Sequence, residues 1–464
     1  MNYRLLAFFS FWLVVLTISC NQDEISFDSP SQALRFSRDT VFCDTVYNQV
    51  RSETYAVKVY NDENKDIMIP RISLQNGAAS LYRINVDGKP GTEFTNIPLR
   101  KKDSLFIFVE IAPVANATEA IAEDRILFTS GIGDQQVTLF SVVQDAEFFI
   151  QTETNQNILS ENTNWSNQKA KIIFGDLTLQ EGKTLNINAG TKVYFFKNSG
   201  LKIGKNAQLN VNGNLGSEVT FRGDRNDPRY DTIPKNWKGI DFEQGAKLNM
   251  NYARVFGGTK GLNFYENTAQ IKNTIIHTFE EFGIYAVNST VNASNLVINN
   301  CGDAAFGIFK GGNIQLNHCT LANFWSFNSV MTAYSLYATN EWINADGNTE
   351  NAGLSLNITN SILYNGEDNA MVFNPINGQT FEYSIRNSLL KYGSDAGFAF
   401  EGNNRITNSI KNEDPLFLNY YTEKMNLRVK DLSPAKSKGL FLPDFPTDIA
   451  GITRTNPSTI GAYQ

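Results

Sequence analysis

Between Trp237 and Tyr392 the apolar and polar positions recur about every 22 residues. A Gly followed by a large aliphatic residue stands at Gly239-Ile240, Gly261-Leu262, Gly283-Ile284 and Gly307-Ile308, in steps of 22, 22 and 24. A second mark, a polar residue three places before Ile or Leu, runs in another phase. It occurs as Asn273…Ile276, Asn295…Ile298, His318…Leu321, Asn360…Leu363 and Asn387…Leu390. Its steps are 22, 23, 42 and 27, the 42 reading as about two periods. Two independent marks with one period identify a repeat architecture, in which each unit buries its apolar face against the next.

No sustained i, i+3, i+4, i+7 pattern accompanies the repeat, which argues against helical solenoids. Each unit holds short strand-like pieces instead, such as Leu262-Asn263-Phe264 and Leu296-Val297-Ile298, punctuated by Asn, Gly, Ser and Thr. Three such strands and three bends consume about 22 residues, one coil of a parallel β-helix whose coils stack at the strand spacing of ~4.8 Å. Ile240, Leu262, Ile284 and Ile308 are then expected in one inward ladder, and Asn273 and Asn295 in a ladder at a bend. Stacked amides hydrogen-bond one another and Asn tolerates the left-handed conformation, so this ladder is expected to be structural.

Upstream the period changes to two. Tyr55 to Tyr60, Leu105 to Val109 and Val137 to Phe140 alternate apolar and polar residues, with turn signals at Asn61-Asp62, Asp87-Gly88 and Gly131 to Asp134. Such strands over 34–150 predict a β-sandwich. The stretch Lys58 to Asn61, with Leu105 to Val109 and then Ala112-Pro113, resembles the immunoglobulin-like spacer domains of bacterial surface proteins. The segment 1–20 reads as an export signal, with Arg4, an apolar run from Leu5 to Ile18, and Ser19 before Cys20. A Cys closing such a run resembles the lipobox of bacterial lipoproteins, although Thr17 stands where Leu is usual. That resemblance implies lipidation at Cys20 and a linker over 21–33. Asn21-Gln22-Asp23-Glu24 resembles the acidic tag of surface-exposed Bacteroidota lipoproteins, which implies an outer-membrane address.

The succession Leu185 to Phe195, Leu201-Lys202-Ile203, Leu209-Asn210-Val211, Val219-Thr220-Phe221 and Trp237 to Phe242 resembles the right-handed parallel β-helix lipoproteins of Bacteroidota. The resemblance implies an all-β chain: a right-handed parallel β-helix (a pectin-lyase-like solenoid) over 151–430, preceded by the sandwich. Asp448 to Gly451 and Ile460 to Tyr463 resemble the closing segment of such proteins, so 431–464 is expected to cap the last coil.

Composition then limits the chemistry. The formal charge is −7 without a basic block, which argues against nucleic acid as partner. Only two His are present, against 33 Phe and 18 Tyr. No cysteine, histidine or acidic spacing makes a metal set, and no cofactor motif is found; the polar loop carrying Asp224, Asp227 and Asp231 lacks the calcium-loop pattern. A lyase-like set would be Glu280 and Asp303 with Lys310 as base, because aligning Gly283 with Gly307 puts Asp303 opposite Phe279 and beside Glu280. No triad of Asp suited to a hydrolase recurs. Phe324, Trp325, Phe327, Tyr334, Tyr337 and Trp342 crowd the interval where the repeat is irregular. Flat rings stack on sugars, so Trp325, Tyr334, Tyr337 and Trp342 are the ligand-binding candidates. The leading expectation is a surface-anchored lipoprotein that recognises a glycan or a surface partner without catalysis. The alternatives are a polysaccharide lyase or glycoside hydrolase, and a structural part of a surface assembly.

Overall fold

The structure is a computed structural model that describes residues 26–47, 51–113, 119–225, 228–327, 331–394 and 396–464. The export segment, Cys20 and the Asn21 to Glu24 tag lie outside the described residues. The chain is all-β and divides into two compact units, Met1–Gln144 and Asp145–Gln464. The second unit begins earlier than the expected boundary at 151. Strand Ala146–Ile150 pairs in parallel with Ala170–Phe174, and so continues the sheet that follows it.

In the first unit, two five-stranded sheets share one hydrophobic cluster. Val57, Val59, Ile107 and Val109 of one sheet and Val41, Ile126, Phe128 and Leu139 of the other are buried in it. Their spacing of two follows from strand geometry, in which alternate side chains leave opposite faces. Most pairings are antiparallel, while Gln135–Gln144 lies parallel to Thr40–Tyr47.

In the second unit, 26 strands form one long parallel sheet that curls on itself. Through most of the unit each strand pairs with the strand three further on, so three runs of strands lie side by side in register. One run carries Leu201, Ile240, Leu262, Ile284, Phe306, Leu336 and Met371 in successive paired positions, all buried in one cluster. Ile284 therefore faces Phe306, not Ile308 as the Gly-aliphatic mark implied. Strand pairing keeps the 22-residue step through Val287 and Phe309, and the extra length enters afterwards as a bulge at Lys310–Gly312. All three residues there take positive φ.

The 42-residue step is likewise one repeat with two excursions, and not two periods. Ala304 pairs with Tyr334, 30 residues on, and Gly312 pairs with Leu354, 42 on. The first excursion spans the residues after Asn323. The second holds an antiparallel hairpin, Glu341–Ile343 against Thr349–Asn351.

The bend ladder forms as expected. Asn273, Asn295, His318, Asn360, Asn387 and Asn408 all have φ between 47° and 52°. The Asn273 amide donates to Asn251 at 2.8 Å, Asn295 to Asn273 at 2.9 Å, and Asn360 lies 3.0 Å from His318 Nε2. The C-terminal segment runs along this ladder. Asn295 contacts Thr447 and Arg454, Asn360 contacts Leu440, and Asn387 contacts Lys438. The reason lies on the adjoining outward positions. Ile275, Val297, Thr320, Ile362, Leu389 and Ile410 are paired in succession, and this mostly apolar stripe is covered by Phe417, Leu427, Ile449 and Ile460.

Candidate functional site: an aromatic ribbon

One run of strands turns a row of rings outward. The outward positions beside the buried ladder are Lys202, Asp241, Asn263, Tyr285, Gly307, Tyr337 and Val372. Phe282 and Tyr334 belong to the same run, Tyr265 and Phe309 end their stretches of it, and the hairpin brings in Trp342. The rings form a chain of contacts. Tyr265 and Trp342 centroids are 5.3 Å apart, Tyr285 and Phe309 4.6 Å, Phe309 and Tyr337 5.5 Å, and Tyr334 and Tyr337 6.0 Å. Phe282 joins at 5.0 Å from Tyr285. Trp342 Nε1 donates to the Tyr285 hydroxyl at 2.9 Å, which ties the hairpin to the strands. All seven rings are half-buried, so each keeps surface toward solvent. Gly307 lies beneath them: a Cβ there would approach the Phe309 ring to 2.8 Å and the Phe282 ring to 2.9 Å.

Beside Tyr265, Tyr285 and Trp342 a cleft of about 450 Å³ is floored by Asp241 and Asn263. Asn263 donates to Asp241 at 2.8 Å, yet burial outweighs this bond and raises the Asp241 carboxyl above the usual range.

At one border of the ribbon stand Glu280, Glu281 and Asp303. Pairing of Phe282 with Ala304 puts Asp303 opposite Glu281, not Phe279, because the register step is 22 and not the 24 of the glycine marks. Asp303 N–H donates to the Glu281 carbonyl at 2.8 Å. Burial, then the Glu281 charge, raises the Asp303 carboxyl, while Glu281 pairs with Lys260 at 3.0 Å and Glu280 with Lys235. The Lys260 ammonium lies 5.2 Å from the Tyr285 ring centre, which joins the acidic border to the ribbon. Lys310 is elsewhere. It is clamped between Glu350 at 2.6 Å and Glu266 at 2.9 Å, and the Glu350 bond above all holds it protonated. A base must lose its proton, so this clamp removes Lys310 from the lyase-like set.

Of the four ring candidates the structure brings together Tyr334, Tyr337 and Trp342. Trp325 lines a separate cavity of about 120 Å³ with Phe324, Tyr420 and Tyr421. Sequence reasoning missed Tyr265, Phe282, Tyr285 and Phe309. A signal was present, because Tyr285 and Phe309 directly follow Gly283-Ile284 and Gly307-Ile308. Among the described residues no group of three or more His, Cys, Asp or Glu is arranged to hold a metal, and no helix is long and apolar enough to cross a membrane.

No protein-family model matches this chain, and no curated protein matches it. Several solved structures are similar to parts of it, among them the following two. One is the PapD-like domain 7 of human CEP192, at 9% identity and a TM-score of 0.18, covering 28% of this chain and 96% of that one. The other is a family 123 glycoside hydrolase from Clostridium perfringens, described in terms of glycolipid glycan hydrolysis, at 11% identity and a TM-score of 0.19. It is covered over 26% of its length, and 28% of this chain takes part. Likenesses of this size carry no argument about fold or activity.

Proposed function

We propose that this chain is a surface lipoprotein anchored in the outer membrane through Cys20. Its second unit is a right-handed parallel β-helix that recognises a glycan without catalysis. The three in-register runs of parallel strands around one core support the helix, and the first unit is read as its immunoglobulin-like spacer. The observation that carries the function is the ribbon of seven half-buried rings gathered along one run of strands and its hairpin. Rings held by strands offer large flat apolar faces whose ordering cost is already met on folding, which suits a chain of sugar rings.

The test is a glycan-array screen of residues 21–464 with Tyr337→Ala, Trp342→Ala and Trp325→Ala variants, each checked by thermal melting. Binding is expected to fall at least ~tenfold in the first two at unchanged melting and to persist in Trp325→Ala. Undiminished binding in both ribbon variants overturns the reading. A polysaccharide lyase or hydrolase is the second reading, favoured only by the raised carboxyl of Asp303 beside Glu281. Release of reducing ends or unsaturated uronates from bound polysaccharide, lost in Asp303→Asn, would establish it instead.

A further inference from the structure

A second concavity, of about 820 Å³, opens on a different run of the sheet, where the C-terminal segment passes over the outward positions Arg254 and Ile275. Its size falls within the range of small-ligand sites. The lining is mixed in character. Ile275, Met425 and Tyr463 are apolar, while Arg254, paired with Ile275, and Lys424, next to Met425, bring cations beside them. Neither Arg254 nor Lys424 forms an ion pair among the described residues. Of the acids in the lining, Asp231 is paired with Arg222 at 2.7 Å, and Glu423 shares the lining with Arg229, Arg254 and Lys424. Among the described lining residues the cations Arg229, Arg254 and Lys424 therefore outnumber the acids Asp231 and Glu423.

The floor agrees with that sign. The His277 ring stacks on Phe256 at 4.8 Å and its Nδ1 lies 2.9 Å from the Thr278 hydroxyl. Its Nε2 is buried with no hydrogen-bond partner among the described residues. Burial first, and then Arg254 and Arg222, push the imidazole down to about 3, so it is neutral beneath a positive field.

We propose that this groove binds a small organic anion, a carboxylate or sulfate ester carried on a ring of sugar size. The acidic group sits between Arg254 and Lys424, and the ring lies against Ile275, Met425 and Tyr463. The site is separate from the aromatic ribbon and does not rest on the glycan reading given above.

Calorimetric titration of the full chain with glucuronic acid, N-acetylglucosamine 6-sulfate, glucose and inorganic sulfate tests it. At least one of the two acids should bind, weakening as salt is raised, while glucose and inorganic sulfate bind at least ~tenfold less well. An Arg254→Gln, Lys424→Gln pair should lose that binding by at least ~tenfold with unchanged melting, and Trp342→Ala should retain it. Which acid binds separates carboxylate from sulfate. Binding of neither acid, equal binding of glucose or inorganic sulfate, or full retention in the double variant overturns the proposal.

Discussion

Asn295 offers a quantitative test of why the bend ladder exists. Its amide donates to Asn273 Oδ1 at 2.9 Å and to the Thr447 carbonyl at 3.1 Å, and its Oδ1 accepts from Arg454 Nη2 at 2.7 Å. Arg454 is buried, its Nε and Nη1 have no partner among the described residues, and burial pushes the guanidinium down to about 10. Asn295→Ala removes two neutral bonds worth about 1 kcal/mol each and a charge-assisted bond worth about 2 kcal/mol. It also leaves an alanine at φ 49°, a conformation that costs about 1 kcal/mol. The sum is about 5 kcal/mol. Asn408 supplies the control, because it has φ 50°, is exposed, and makes no side-chain hydrogen bond among the described residues. Asn408→Ala should cost about 1 kcal/mol, the backbone contribution alone. If Asp145–Gln464 melts as one unit of roughly 320 residues, these become Tm losses of about 7 °C and about 1.5 °C. Scanning calorimetry of both variants, with Asn295→Gly and Asn408→Gly, measures them. Asn295→Gly should fall nearly as far as Asn295→Ala, since side-chain bonds dominate there, whereas Asn408→Gly should match the parent. Equal losses in Asn295→Ala and Asn408→Ala would refute the reasoning and leave backbone strain as the whole effect.

Two further outcomes follow from the same structure. His277 and His318 are both pushed down to about 3, chiefly by burial, so the folded state takes up fewer protons than the unfolded state below pH 6.5. Their stabilisation is present above pH 6.5 and is lost as pH falls toward 3, with about 3 kcal/mol gone between pH 6.5 and 5 if both stay neutral. Denaturant titrations at those two pH values, in parent and His318→Asn, check the slope, which should be shallower in the variant. Gly307→Ala places a methyl against the Phe282 and Phe309 rings, which must shift or splay. Overpacking of this kind costs about 1–3 kcal/mol, and glycan binding at the ribbon should weaken with it; unchanged stability and binding would show the rings move freely.

How much of this was legible beforehand depends on whether a feature is written in local pattern or in register. The bend ladder was legible because each of its members needs a left-handed backbone, and Asn is chosen for that position one residue at a time. The ring ribbon was half legible. Tyr334, Tyr337 and Trp342 stood out as a local crowd, whereas Tyr265, Tyr285 and Phe309 are singletons that become neighbours only through strand pairing. Lys310 shows the converse, since its acidic partners lie 44 and 40 residues away in sequence and nothing local announces the clamp.

The sequence by itself determined the all-β class, the change of period near residue 150, the 22-residue repeat and the inward aliphatic positions. Each of these is a periodicity, and periodicity follows from the geometry of a single strand. Only the tertiary structure decided where the repeat slips, that the 42-residue step is one repeat with two excursions, and that Asp303 faces Glu281. It also decided that the C-terminal segment lies along a mostly apolar stripe of outward positions. An insertion of one residue shifts every later partner across the sheet, so contacts between repeats depend on the summed length of all that lies between them, which no local pattern records.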